Sequence, residues 1–520
     1  MKQTHEYVTT AIVYPNARIH VGWAWECLGA DWLVRGLQAL GKSTLLVTGM
    51  DEHSVKVQRT AESLGLAPEV YCDQMASEIQ KVLKRMGIAY DRFIRTSDED
   101  HRFVVKTLVE RAFQSGDVYL SRYEGAYCEG CEAFYTEKDL VQGLCPSHQK
   151  APAWISEENY FFRLSKYQEK LLQFFREHSN FLEPDFRQSE ILHFIESGLK
   201  DFSISRSGTT WGIPLPFDPQ HVIYVWFDAL INYLTAAGLA LHLKDPAHPE
   251  FLSCWPVRVH IIGKDIARFH CVYWLAMLMA LDLPLPKKVF AHGFLTIKGE
   301  RMSKSSGNVV SPDEVMDLVG VDPFRYYLLA ENSFAQDGNF SWKGLILKNN
   351  ADLAHDWGNL VNRSLSMTLK YFEGSGQKGF QKPEGNAHSE SIQKAMEKLP
   401  QHLEEALNAI DPQAYATRCL EGTRLLNLYI DRTKPWALAR DQARREQLHE
   451  VLFALLEGIR WLAYAWIPLM PESTSRVFDQ LGISENRASG FLVHLKWGTE
   501  VFYPQTPSPI YSRLPLQDSE

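Results

Sequence analysis

The stretch Val8-Thr9-Thr10-Ala11-Ile12-Val13-Tyr14-Pro15-Asn16-Ala17-Arg18-Ile19-His20-Val21-Gly22-Trp23 decides the fold. Val8–Tyr14 is apolar or β-branched, the composition of a buried strand, and Pro15-Asn16 ends it. From Val21 the pattern turns helical and runs to about Leu40. Ser43–Thr48 reads as a second strand, ending at Gly49-Met50-Asp51-Glu52-His53. Strand, helix, strand in this order predicts a right-handed parallel unit. In such sheets ligands sit at the carboxyl ends of the strands, where helix N-termini face anions. His20 falls at that edge, and Gly22 removes a side chain where a nucleotide must come close.

Outward from this unit the chain changes character several times. The reading predicts a first sheet half over 1–116 and an insertion over 117–220, with aromatic-rich helical segments around Tyr160–Phe175. A second sheet half over 221–295 carries strand-like runs at His221–Val225, Val257–Ile262 and Val289–Phe294, with a helix over Phe269–Leu281 between them. A linker over 296–345 and a helical region over 346–520 follow. In the linker Ser311 can cap a helix, Pro312 fits its first position, and Glu314 can reach back to the cap amide. In the helical region Leu353, Trp357, Leu360, Val361 and Ser364 share one face, and Gly374–Asn386 reads as a loop. The expected class is α/β: a split, Rossmann-like parallel sheet with an inserted knuckle, followed by an all-α bundle.

A second loop carries chemistry: Lys298-Gly299-Glu300-Arg301-Met302-Ser303-Lys304-Ser305-Ser306-Gly307-Asn308. Glycines let such a loop move, and Lys304 can close over a departing pyrophosphate. There is no Gly-x4-Gly-Lys-Ser/Thr stretch, which disfavours a P-loop cradle.

His20-Val21-Gly22-Trp23 resembles the HIGH signature of class I aminoacyl-tRNA synthetases, and Arg301-Met302-Ser303-Lys304-Ser305 resembles their KMSKS loop. Both follow strands and come in the family's order. Further stretches resemble the methionyl branch along nearly the whole chain. Thr48–His53 is similar to TGTDEHG, Tyr224–Ala229 to YVWFDA, and Gly263–His270 to GKDIxRFH. Asp201–Arg206 and Trp211–Pro214 are similar to SISR and WGIP. This resemblance implies a methionine–tRNA ligase that forms methionyl-adenylate from methionine and Mg²⁺-bound ATP and transfers the methionyl group to tRNA(Met). It implies catalytic roles for His20, Trp23, Arg301 and Lys304, and ATP contacts from His20, Gly22, Lys264, His292 and Lys304. Methionine is expected against Ala11, Ile12, Tyr14, Asp51, Trp226, Ala229, Leu230, Tyr233, Ile266 and His270. These residues suit a thioether, which needs apolar and aromatic walls, with Asp51 taking the ammonium. Three positions depart from the family pattern: Trp23 stands for the second His of HIGH, Arg301 for the first Lys of KMSKS, which keeps the charge, and Ser54 for a Gly. Indole has one donor and no basic nitrogen.

Cys128-x2-Cys131-x13-Cys145-x2-His148 has the spacing of tetrahedral zinc ligands, so one structural Zn²⁺ is expected in the insertion. The other cysteines, Cys27, Cys72, Cys254, Cys271 and Cys419, read as buried small residues. In the helical region Asn359 and Arg363 lie four apart, and Lys434-Pro435-Trp436 opens a later helix. Amide, guanidinium and indole suit splayed single-stranded bases. The resemblance implies that these residues read the CAU anticodon, which makes 346–520 an anticodon-binding domain.

The net charge of −9 confines any RNA site to a local patch. The N-terminus has no basic start followed by an apolar core, and no run is long enough to span a bilayer. A reduced, cytoplasmic protein without a membrane segment is expected. Nothing after about Tyr503 reads as an added dimerisation domain, so a monomer is expected. Two alternatives remain open at this point. One is another adenylate-forming α/β nucleotidyltransferase. The other is a synthetase-like RNA-binding protein that has lost activation, which Trp23 favours.

Overall fold

β1 (Glu6–Val13) and β2 (Thr44–Met50) pair in parallel across α1 (Val21–Ala39), which is the unit expected from the opening stretch. The computed structural model describes residues 4–15, 19–128, 133–135, 140–146, 150–302, 308–385, 387–485 and 489–516. Among these residues the same sheet holds β3 (Arg92–Arg95), β4 (Leu182–Glu183), β5 (Val259–Gly263) and β6 (Val289–His292). The order is β3-β2-β1-β5-β6-β4, and every pairing is parallel. The chain steps from β1 to β2 and β3 on one side, then returns to β5 and β6 on the other. The winding therefore reverses between β1 and β5, and a crevice at that reversal is where an open parallel sheet binds its ligand.

Local chemistry explains where the elements differ from expectation. Tyr160–Phe162 is strand: it ends Ala153–Phe162, which pairs antiparallel with Val118–Cys128. The helix follows only at Gln168–Glu177. Ladder pairing with a neighbouring hairpin arm overrides the helical look of an aromatic run. Val222–Ile223 pairs with Ser205–Arg206 outside the main sheet, and Val225 already opens α3 (Val225–Leu230). α4 (Asn232–Ala236) follows at once. The expected helix over Phe269–Leu281 starts with wide π-type turns over Phe269–Tyr273 and becomes regular over Trp274–Ala280. The stretch expected as a loop contains a helical turn, Ser375–Lys378, and a bridge from Phe380 to Phe502, with Asn386 outside the described residues. The helix start at Ser311 is as expected: its hydroxyl accepts from the Asp313 amide at 3.2 Å, and its own amide donates to Glu314 at 3.3 Å.

α1 is buried on nearly every side, as a helix that is apolar all round must be. Trp25 and Trp32 are fully buried. Trp25 meets Phe334 edge-on at 5.2 Å, and Trp32 meets Tyr415 of α6 (Pro412–Thr433) at 5.5 Å. α1 thus runs from the sheet's carboxyl edge into the helical region. One continuous core joins α1 to α5 (Val321–Glu331), α6 and the helix Arg445–Trp466. Leu353, Trp357, Leu360, Val361 and Ser364 are all buried in the helical region. Cys27, Cys72, Cys254, Cys271 and Cys419 are buried too.

Candidate active site

β1 delivers Tyr14 and Pro15 to the carboxyl edge, and α1 starts there at His20. The His20 backbone is extended, and its Nδ1 accepts from the Gly22 amide at 3.1 Å. A nitrogen that accepts carries no hydrogen, so in the neutral ring the proton sits on Nε2 as a donor. Burial lowers the affinity of His20 for a second proton. The Val21 amide donates to the Val310 carbonyl at 3.0 Å. The first amides of α1 are therefore satisfied internally, unlike the open amide cradle expected, and the helix offers an anion its dipole and His20.

The second motif arrives at the same place. Leu295–Ile297 and Glu300–Arg301 form a hairpin whose two-residue turn, Lys298-Gly299, has both residues left-handed, as a type I′ turn requires. A β-carbon on Gly22 would fall 2.9 Å from the His20 ring and 3.1 Å from the Met302 methyl, so Met302 packs on the bare face of Gly22. Asn308 closes the base of the loop by donating to the Arg301 carbonyl at 3.1 Å. Ser303–Gly307, including Lys304, lie outside the described residues. Their two anchors, Met302 and Val310, both touch the start of α1.

Glu26, one turn and a half into α1, was not singled out from the sequence. It is buried and joins three elements. One oxygen accepts from the Ala11 amide at 3.0 Å, where the β1–β2 register shifts between Thr9 and Ile12. The other lies 2.9 Å from His292 Nε2, at the end of β6. His292 Nδ1 faces the Gly293 carbonyl at 2.7 Å, and the ring stacks on Phe334 at 5.2 Å. Both ring nitrogens thus have partners. The readable signal was a carboxylate inside an otherwise apolar helix. Lys264 is held by Asp337, at 2.6 Å to each oxygen. It also lies 4.7 Å from the Phe294 ring, which the Arg301 guanidinium covers at 4.0 Å. Trp23 is half-buried, and its indole nitrogen has no partner among the described residues.

Of the residues expected around methionine, Ala11, Ile12 and Tyr14 lie at the end of β1, Asp51 follows β2, Ile266 and His270 follow β5, and Trp226, Ala229, Leu230 and Tyr233 lie on α3 and α4. Asp51 donates its amide to the Val13 carbonyl at 2.9 Å. Trp226 of α3 stacks on Phe269 at 3.7 Å, nearly parallel, and both are half-exposed. Phe269 is a second residue the sequence reading did not single out. Tyr233 of α4 lies with its hydroxyl 2.8 Å from His270 Nε2, while His270 Nδ1 faces the Ile266 carbonyl at 3.1 Å. The carbonyl fixes the ring hydrogen on Nδ1, so Nε2 accepts from Tyr233. Burial, then the Glu26 and Asp51 carboxylates, raise the Tyr233 phenol, which keeps it neutral beside both groups. Ala229, Leu230, Tyr233 and His270 are buried, whereas Ala11, Ile12, Tyr14 and Ile266 are partly open.

Burial pushes His270 down to about 4 from an ordinary value near 6.5. The unfolded ring takes up a proton below 6.5 and the folded ring only near 4, so the unfolded state binds more protons between them. His270 therefore costs nothing above pH 6.5, and its neutral burial destabilises the fold as pH falls through that window. We expect wild type to lose stability relative to His270→Gln by up to about 1.4 kcal/mol per pH unit there. Denaturant unfolding from pH 7 to 4.5 measures this, and parallel curves for the two proteins would contradict it.

Of the expected metal ligands, Cys128 and Cys145 are buried, and Cys131 and His148 lie outside the described residues. The approach to Cys145 is a tight turn, with Val141 bridged to Leu144 and both Gln142 and Gly143 left-handed. In the helical region Asn359 and Arg363 are half-buried on one helix, Asn359–Tyr371. Arg363 lies 3.4 Å from Asp431, near the end of α6. That end leads through left-handed Lys434 into Pro435 and Trp436, whose ring is 39% exposed. A bulky indole left open at the surface differs from a core tryptophan.

Comparison with known proteins agrees with this geometry. The family described as tRNA synthetases class I (M) matches residues 6–153 and 147–365. The chain is 43% identical over 490 residues to the methionine–tRNA ligase of Caldanaerobacter subterraneus, covering 94% of this chain and 75% of the relative. It is 40% identical to that of Synechocystis, covering 99% and 98%. A solved structure of Mycobacterium tuberculosis methionyl-tRNA synthetase in complex with methionyl-adenylate superposes with a TM-score of 0.91 at 37% identity, covering 99% of this chain and all of that one. With a class I sheet, both signature segments meeting at α1, and relatives this similar over nearly their full length, the chain belongs to the methionyl-tRNA synthetase family of class I tRNA synthetases.

Proposed function

We propose that the chain runs both steps of its methionine–tRNA ligase activity at the carboxyl edge of β1, with His20 and Lys304 acting on one triphosphate. The observation that carries this is the packing of Met302 and Val310, which flank the Lys304 loop, against Gly22 and Val21. The methionine carboxylate attacks the α-phosphorus in line and pyrophosphate leaves, giving methionyl-adenylate. A 3′-terminal ribose hydroxyl of tRNA then attacks the acyl carbonyl and AMP leaves. The protein positions groups and offsets charge as it develops on phosphate oxygens. Mg²⁺ accompanies the phosphates. The His20 Nε2–H donates to a phosphate oxygen, and the Lys304 and Arg301 cations close on the leaving pyrophosphate. Lys264 lies near enough to join them by exchanging its ion pair with Asp337. Gly22 lets the His20 ring and Met302 close in at the nucleotide site, and His292, held by Glu26, shapes that site. Asp51 holds the ammonium, Trp226 and Ile266 wall the thioether, and the Tyr233–His270 pair with Tyr14 meets the sulfur.

The same reading keeps 1–116 and 221–295 as the catalytic sheet, 117–220 as the insertion, 296–345 as the loop-bearing linker and 346–520 as the anticodon domain. Within 117–220, β4 completes the sheet's edge. Among the described residues no helix is long and apolar enough to cross a membrane. Charging tests the whole: the chain should load methionine onto a tRNA transcript bearing CAU, and equal charging of transcripts with other anticodons contradicts the anticodon reading. Trp436→Ala should raise KM for tRNA by about 5- to 150-fold, a stacked base being worth roughly 1–3 kcal/mol, and leave methionine activation unchanged. Equal loss in both would contradict a separate RNA site.

Two buried thiols in one small insertion fit a soft metal, and Cys128, Cys131, Cys145 and His148 would hold Zn²⁺ there, away from the chemistry. Purified protein should contain one equivalent of zinc, and Cys128→Ser should lose it with local unfolding of the insertion. Full activity and an intact insertion in a metal-free chain would remove this assignment.

A further inference from the structure

Four side chains that the reaction does not use form a buried relay behind the pocket. His53 Nδ1 lies 2.6 Å from one oxygen of Asp228, and His101 Nε2 lies 2.7 Å from the other. His101 Nδ1 continues to the Thr235 hydroxyl at 3.1 Å. Asp228, His101 and Thr235 are fully buried and His53 nearly so. Burial alone would lift the Asp228 carboxyl, but His53 and then His101 hold it below its ordinary value. The carboxylate thus stays charged and accepts from both rings.

The position of each link is informative. His53 sits two residues after Asp51. Asp228 lies on α3 between Trp226 and Ala229, and Thr235 lies on α4 two residues after Tyr233. His101 belongs to the helix Glu99–Gln114, and its two ring nitrogens face Asp228 and Thr235. α3 and α4 are six and five residues long, too short to hold their own geometry. Apolar packing is non-directional, whereas a fully satisfied buried polar chain fixes one arrangement. The loop after β2 is locked from its other side as well. Glu52 pairs with Arg95 at 2.5 Å, and its carbonyl accepts from Trp211 at 2.6 Å. The relay thus fixes the distance from the ammonium anchor to the thioether walls on both short helices.

We propose that His53, Asp228, His101 and Thr235 are positioning residues that set the depth of the methionine pocket and so the length of side chain it accepts. This rests on the reading of Asp51, Trp226 and Tyr233 given above. The chemical consequence is discrimination against thioether amino acids longer by one methylene, a difference worth about 10–200-fold in a fitted pocket.

The experiment is ATP–pyrophosphate exchange with methionine and with ethionine, its S-ethyl homologue. His101→Gln and Asp228→Asn should lower the ratio of kcat/KM for methionine over ethionine by about tenfold and raise KM for methionine. KM for ATP should stay at the wild-type value. Thr235→Val, nearly isosteric, should shift the ratio a few-fold in the same direction, and Thr235→Ser should restore it. If Asp228→Asn does not fold, the His101 and Thr235 variants decide. An unchanged ratio in His101→Gln and Thr235→Val overturns the proposal, as does a parallel rise in KM for ATP. Absence of methionine-dependent exchange in the wild type would instead overturn the pocket reading beneath it.

Discussion

His20→Ala should lower methionine-dependent ATP–pyrophosphate exchange by about 10²–10³-fold, the usual cost of removing one preorganised donor to a developing charge. The imidazole does two things at the start of α1. Nδ1 caps the helix through the Gly22 amide, which fixes the ring and leaves Nε2–H as a neutral donor. Loss of the cap alone costs about 1 kcal/mol of stability and no such factor in rate. A variant with slightly lowered stability and intact exchange would make His20 a structural cap only. Lys304→Ala should show a loss of the same size, because its loop is anchored by Met302 and Val310 on the same turn of α1. A loss confined to one of the two would mean that the segments do not share a substrate.

Arg325→Ala should destabilise the folded chain by about 3–5 kcal/mol, because it breaks a buried ion pair, leaves Asp31 ion-paired to Arg35 alone and strips three carbonyls of their donor. Arg325 and Asp31 are fully buried, with the guanidinium 2.6 Å from the carboxylate. The same group donates to the carbonyls of Met86 at 2.9 Å, Leu469 at 3.0 Å and Pro468 at 3.2 Å. One side chain of α5 thereby ties α1, the turn before β3 and the helical region together. Burial would raise the Asp31 carboxyl, but Arg35 and then Arg325 hold it below its ordinary value. Arg325→Met with Asp31→Leu removes both charges and should recover much of the loss. Denaturant unfolding decides: a loss under about 1 kcal/mol in Arg325→Ala would show the pair to be unimportant.

How far these features were legible depends on how local their causes are. The β1–α1–β2 unit was legible because Val8–Tyr14, Pro15 and the apolar helix after Val21 each carry a local signal. The capped helix at Ser311 was legible for the same reason. Leu182–Glu183 was not: a two-residue edge strand leaves no period, and only its pairing to β6 defines it. Tyr160–Phe162 misled because its faces are buried on both sides, which erases the alternation that marks a strand. The candidate site residues came from motif stretches; the structure sets His20 at the start of α1, Asp51, Lys264 and His292 at the carboxyl ends of β2, β5 and β6, and Asn359, Arg363 and Trp436 in the helical region. Apart from the Glu26–Ala11 bond, Glu26, Phe269, His53, Asp228 and His101 matter through contacts between residues at least 43 apart in the chain, and no window of sequence contains such contacts. Lys264 shows the converse. Its motif marks it for phosphate, yet only the fold shows that Asp337 already holds it.

The His20 and Lys304 segments are proposed to meet on one ATP to activate methionine. ATP–pyrophosphate exchange with the purified chain, run with each proteinogenic amino acid in turn and no tRNA, tests this most directly. The account predicts exchange that depends on methionine and falls in both His20→Ala and Lys304→Ala. No exchange with methionine, or faster exchange with another amino acid, would contradict it.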